Sequence, residues 1–119
     1  MISIGDLAAQ AGVSTRALRY YEQQGLLSAA RSGGGQRRYP DSATDRVRLI
    51  RDLYAAGLPS RAVAVVLPCV DARVSTEELT TLLHAERARI KQQISDLTES
   101  LTRLDDVITI ATVPGACRD

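Results

Sequence analysis

Between Thr80 and Ala111 the apolar residues fall on a heptad ladder: Leu83, Ile90, Ile94, Leu97, Leu101, Leu104, Ile108 and Ala111 recur at steps of seven, four, three, four, three, four and three. They fill eight of the ten core positions of that repeat, and Thr80 and Arg87 break it. Ser75 with Glu78 has the spacing of a capping box, so the expected helix covers 75–112, roughly 57 Å at about 1.5 Å per residue. A chain of 119 residues has room for one small domain beside such a helix, too little to cover it. The seam needs a partner, and the simplest is a second copy. Arg87 in the seam is expected to set register or to reach out of it along its aliphatic stem.

The N-terminal part reads as short helices joined by tight turns. Ser3 and Asp6 have capping-box spacing, and Ile4, Leu7, Ala8 and Ala11 give an apolar stripe, so a first helix is expected at about 4–10. Gly12 ends it, Ser14 caps a second helix running to about Gln24, and Gly25 stops that one. On the second helix Arg16, Arg19, Tyr20 and Gln23 share one face, while Ala17, Leu18 and Tyr21 turn toward a core. Tyr20 and Tyr21 are about 100° apart around the helix, so one ring faces out and the other packs. From Ala29 to Tyr39 the segment Arg31-Ser32-Gly33-Gly34-Gly35-Gln36-Arg37-Arg38 suggests a basic hairpin, against the plainer alternative of a Gly-rich linker. A third helix is expected from Asp41 or Ser42 to about Ala56, and a fourth from Pro59 or Ser60, ending before Pro68. The resulting division is 1–70 for the small domain, 71–74 for a connector, 75–112 for the long helix and 113–119 for a tail.

The net charge of +1 conceals an asymmetry: residues 1–61 carry nine Arg against five acidic residues, and residues 62–119 carry six basic against nine acidic. A polyanion-binding surface is therefore expected in the first half. Fourteen of the fifteen cationic residues are Arg, which suits bidentate phosphate contacts and equally fits GC-rich coding. No signal segment or bilayer-length apolar run is seen, and two cysteines make no disulfide scaffold, so a cytoplasmic protein without membrane contact is expected. No catalytic triad, paired-carboxylate site or phosphate-binding glycine motif stands out, which argues against an enzyme.

Taken in order, Ile2-Ser3-Ile4-Gly5-Asp6-Leu7-Ala8, Gly12-Val13-Ser14, Leu18-Arg19-Tyr20-Tyr21-Glu22, Gly25-Leu26-Leu27 and Arg37-Arg38-Tyr39, followed by two helices and the long terminal helix, resemble the mercury-resistance-regulator (MerR) family of bacterial transcription factors over the whole chain. The resemblance implies an all-α fold with a small β wing: a winged helix-turn-helix domain followed by a dimerisation helix that forms an antiparallel coiled coil. It implies a homodimer on double-stranded DNA, at a pseudo-palindrome within a promoter spacer that is bent and untwisted so that bacterial RNA polymerase can engage. DNA contact is carried onto Thr15, Arg16, Arg19 and Tyr20 of the second helix and onto Arg37, Arg38 and Tyr39 of the wing; dimerisation onto Leu83, Ile90, Ile94, Leu97, Leu101, Leu104 and Ile108. Gln36, Pro40 and Pro59 depart from the residues common in the family at their positions.

No cofactor is expected. Cys69 and Cys117 leave a thiophilic metal open, because some relatives sense metals through thiolates near these places, and a small effector is the alternative. The bland account of the pair is a small buried hydrophobe and a free terminal thiol. Two other functions compete with promoter regulation: an architectural or recombination-directing protein that bends DNA without an effector, and a coiled-coil adaptor whose first domain binds protein.

Overall fold

A computed structural model of the chain describes residues 1–31, 35, 37–113 and 115, the side chains of Arg31 and Arg37 excepted. The order is α1 (Ile4–Ala11), α2 (Thr15–Gln23), β1 (Ala30–Arg31), β2 (Arg37–Arg38), α3 (Ala43–Ala55), α4 (Ser60–Ala72) and α5 (Glu77–Thr112). The chain divides into two units, Met1–Leu82 and Leu83–Asp119.

In the first unit the helix starts follow the local chemistry. Ser3 Oγ accepts the Asp6 N–H at 3.1 Å, and Ser14 Oγ accepts the Ala17 N–H at 3.0 Å, so α1 and α2 each gain a partner for an otherwise orphaned donor. Between them Gly12 takes φ +73°, and its N–H closes on the Ala8 carbonyl at 2.9 Å. An L side chain there would be strained, and its Cβ would meet an Arg51 guanidinium nitrogen at 3.4 Å. Leu7, Leu18, Val47, Ile50, Val63 and Tyr39 are fully buried, and together they hold α1–α4 around one aliphatic core. Leu79 and Leu82, from the first turns of α5, pack on it.

Two arginines of α3 finish α1. Arg48 donates to the Gln10 carbonyl at 2.8 Å and Arg51 to the Ala11 carbonyl at 2.9 Å, which places cations on the C-terminal carbonyls where the helix dipole favours them. Arg46 pairs with Asp71 of α4 at 2.7 Å. The two short strands form an antiparallel ladder, Ala30 opposite Arg38 and Arg31 opposite Arg37. Tyr39 then bridges to Ile2 through two backbone hydrogen bonds of 2.8 Å, tying the ladder to the N-terminus.

Two expectations are corrected. Helix α4 does not stop before Pro68 but runs through it to Ala72, so Cys69 to Ala72 are helical and the proposed 71–74 connector is half helix. Proline removes the bond to the Ala64 carbonyl. Both Pro68 and Ala64 are exposed, so water can take that acceptor, while Val63, Val66 and Leu67 keep the opposite face buried. The helix ends where Arg73 takes φ +54° and the Val74 N–H reaches back to the Cys69 carbonyl at 3.0 Å. At α5, Thr76 rather than Ser75 is the cap: its Oγ1 accepts the Leu79 N–H at 3.1 Å.

The second unit is the remainder of α5. Leu83, Ile94, Leu97, Leu101, Leu104 and Ile108 are all exposed, and Leu97 is the most so at 70%. Glu99 pairs with Arg103 at 2.7 Å on its exposed surface, and the buried Glu86 accepts from Arg89 at 2.8 Å. No described helix is long and apolar enough to cross a membrane.

Candidate nucleic-acid interface

The first-half arginines divide by what they already hold. Arg46, Arg48 and Arg51 serve the fold, as above, and Arg38 and Arg61 also have partners within it. Arg16 and Arg19 are exposed on α2 and, among the described residues, have neither ion pair nor hydrogen bond. They stand one turn apart, with Thr15 half-buried at the helix start and Gln23 exposed one turn beyond Arg19. Two uncompensated guanidiniums on one helix face can each grip a phosphate or a guanine edge with paired donors.

The tyrosines of α2 separate as their spacing predicts. Tyr20 is 45% exposed beside Arg16 and Arg19, whereas Tyr21 is 7% exposed and stacks on Tyr54 of α3, ring centroids 5.7 Å apart at 12°. Burial, then the neighbouring Tyr54, raises the Tyr21 pKa, with Arg51 acting the other way, so this phenol stays neutral. Tyr20 meets Tyr21 edge-on at 6.5 Å and Tyr54 at 6.3 Å. Its hydroxyl lies 3.1 Å from Ser60 Oγ, which is also 2.6 Å from the Tyr54 hydroxyl. Sequence reasoning missed Tyr54 and Ser60 as neighbours of this face. Nothing local in the sequence says that Tyr54 of α3 reaches Tyr20.

Tyr39 is a correction. It is fully buried, and its hydroxyl donates to Glu22 Oε1, so its ring belongs to the core and cannot contact DNA. That hydrogen bond and the Ile2 bridge fasten the exit of the ladder to α2 and to the N-terminus. Arg38 is half-buried; the Arg37 side chain, Gln36 and Cys117 lie outside the described residues. Cys69 is half-buried in α4, with Sγ 4.0 Å from Thr76 Oγ1, and no group of three metal-ligating side chains converges among the described residues.

Residues 2–68 match the family described as "MerR HTH family regulatory protein". The chain is 36% identical over 107 residues to the nodulation protein NolA of Bradyrhizobium sp. (strain NC92), covering 89% of this chain and 43% of that protein. It is 32% identical over 102 residues to the HTH-type transcriptional activator TipA of Streptomyces coelicolor (strain ATCC BAA-471 / A3(2) / M145), covering 83% of this chain and 40% of that one. It thus spans less than half the length of these two relatives. The crystal structure of the transcription regulator PbrR691 from Ralstonia metallidurans CH34 in complex with lead(II) superposes with a TM-score of 0.76 at 28% identity, covering 89% of this chain and 84% of that one.

Proposed function

This chain belongs to the MerR family of helix-turn-helix regulatory proteins, and from that premise we propose that it is a homodimeric, sequence-specific DNA-binding transcriptional regulator. The observation that carries the reading is the division of the arginines: those on α3 are consumed by the fold, and Arg16 and Arg19 are left facing outward beside Tyr20. In this reading α2 enters the major groove, Arg16 and Arg19 contact phosphates or base edges with Thr15 at the helix start, and Tyr20 donates to a phosphate. The β1–β2 ladder is the wing, and Arg37 and Arg38 extend the contact along the backbone.

The partner is a second copy along α5. In an antiparallel pair Ile90 falls opposite Ile108, Ile94 opposite Leu104 and Leu97 opposite Leu101, so one register aligns the seam. Charge favours the same direction. The segment 86–91 carries Arg87, Arg89 and Lys91 against Glu86, whereas 99–106 carries Glu99, Asp105 and Asp106 against Arg103. In this register Lys91 lies within two residues of the point opposite Asp105 and Asp106 of the second copy, and parallel packing brings like to like. Two α2 helices related by a two-fold axis then read a pseudo-palindrome, and distortion of a promoter spacer controls access by RNA polymerase.

Selection of bound genomic fragments, followed by footprinting and a bending assay, tests this. A short two-fold protected site between promoter elements, bent on binding, with transcription changing when protein is added, is the expected result. Bending at sites without promoter placement would transfer the reading to an architectural protein. Absence of protection on any fragment would favour a protein-binding adaptor.

A further inference from the structure

Three hydroxyl groups meet where α2, α3 and the first residue of α4 come together. Ser60 Oγ sits between Tyr54 Oη at 2.6 Å and Tyr20 Oη at 3.1 Å. Three hydroxyls own three protons, and two contacts consume two of them, so one proton is left over, on Ser60 if it accepts from both tyrosines and otherwise at an end of the chain. If Tyr54 donates to Ser60 and Ser60 donates to Tyr20, the spare proton belongs to Tyr20, the exposed member. The reverse order leaves it on the half-buried Tyr54 and turns Tyr20 inward as a donor.

We propose that Tyr54 and Ser60 are positioning residues that aim the Tyr20 hydroxyl outward as a hydrogen-bond donor to a DNA phosphate; this rests on the DNA-contact reading above. An anion beside Tyr20 selects the order in which each hydroxyl donates toward it, and a chain running one way strengthens its terminal donor. The rings add stiffness. Tyr54 is fixed by its stack on buried Tyr21, and Tyr20 lies against both, so the phenol is held before any ligand arrives. Holding it in advance lowers the ordering cost of binding. Ser60, the first residue of α4, brings its hydroxyl to Tyr20 of α2 from forty residues away in sequence.

The test uses the full chain and a short mixed-sequence duplex, with affinity followed by fluorescence anisotropy over a salt series. Loss of the Tyr20 donor in Tyr20→Phe should weaken binding about tenfold, and Ser60→Ala or Tyr54→Phe should weaken it about three- to fivefold, as for partial loss of a hydrogen bond to a charged group. The salt slope should not change in any of them, since no cation is removed. Ser60→Thr keeps the hydroxyl and should restore most of the affinity. In a Tyr20→Phe background, Ser60→Ala should add nothing, because its effect runs through the missing hydroxyl. Wild-type affinity in both Ser60→Ala and Tyr54→Phe, or losses that simply add to that of Tyr20→Phe, would overturn the proposal. If Ser60→Ala does not fold, Tyr54→Phe alone and with Tyr20→Phe decides the matter. Failure of the wild-type chain to bind any duplex strikes instead at the reading on which the proposal rests.

Discussion

Residues 1–82 and the remainder of α5 are built from the same aliphatic side chains, yet they treat them in opposite ways. Leu7, Leu18, Val47 and Ile50 are wholly buried, while Leu97 and Leu101 stand 70% and 59% exposed. Composition does not separate the two; neighbours do. In the first unit four short helices turn back on one another at Gly12, Gly25 and Gly57, and each apolar stripe finds another within the same chain. A single long helix has no such recourse. Burying its stripe is worth roughly 1.5–3 kcal/mol for each large side chain, and that gain can come only from outside the helix. The first unit should therefore hold its stability at any concentration, while the order of the second should depend on concentration.

The comparison breaks most visibly in the seam. Leu97→Glu or Leu101→Glu places an unpartnered carboxylate in each chain of the pair, at a cost of several kcal/mol, and should weaken dimerisation by about a thousandfold or more. Analytical ultracentrifugation should find monomers whose first unit still melts cooperatively. A stable dimer in both variants would mean that another face of α5 is the seam. The mirror experiment lies in the first unit: Leu18→Ala should lose about 2–5 kcal/mol, read as a lower denaturant midpoint for the first unit, because Leu18 is fully enclosed.

Smaller changes sharpen the direction of pairing. Reversing Asp105 and Asp106 to Lys should weaken the dimer by about 0.5–2 kcal/mol, and Lys91→Glu in the same chain should restore part of it. If the added Lys91→Glu deepened the loss, the antiparallel arrangement would be wrong. Tyr39→Phe removes only the hydroxyl that Glu22 accepts, so stability should fall by about 1 kcal/mol with DNA affinity unchanged. A drop in affinity without loss of stability would return Tyr39 to the DNA surface.

What was legible in the sequence was local. Ser3, Gly12, Ser14 and Gly25 announce the ends of α1 and α2, and the outward Tyr20 with inward Tyr21 follows from helix geometry alone. Apart from the cap of α5, where Thr76 stands in for Ser75, the misreadings turn on distant contacts. Alternation along a strand cannot say which parity faces the core, and for Tyr39 that is settled by a bridge to Ile2 and a hydrogen bond to Glu22. Pro68 looks like a stop until it is known that the carbonyl it abandons faces solvent. Which arginines are free is likewise invisible in the sequence, because Arg48 and Arg51 are claimed by α1 carbonyls some forty residues earlier.

The central claim is that Arg16 and Arg19, with the ladder arginine Arg37, meet the phosphate backbone. The most direct measurement is the salt dependence of affinity for duplex DNA in the wild type, Arg16→Ala, Arg19→Ala and Arg37→Ala. Each lost phosphate contact should reduce the magnitude of the log–log slope by about 0.9, or about 1.8 when both chains of a dimer lose it, with lower affinity throughout. Affinity and slope unchanged in all three variants would contradict the assignment of helix α2 and the ladder as the DNA-binding surface.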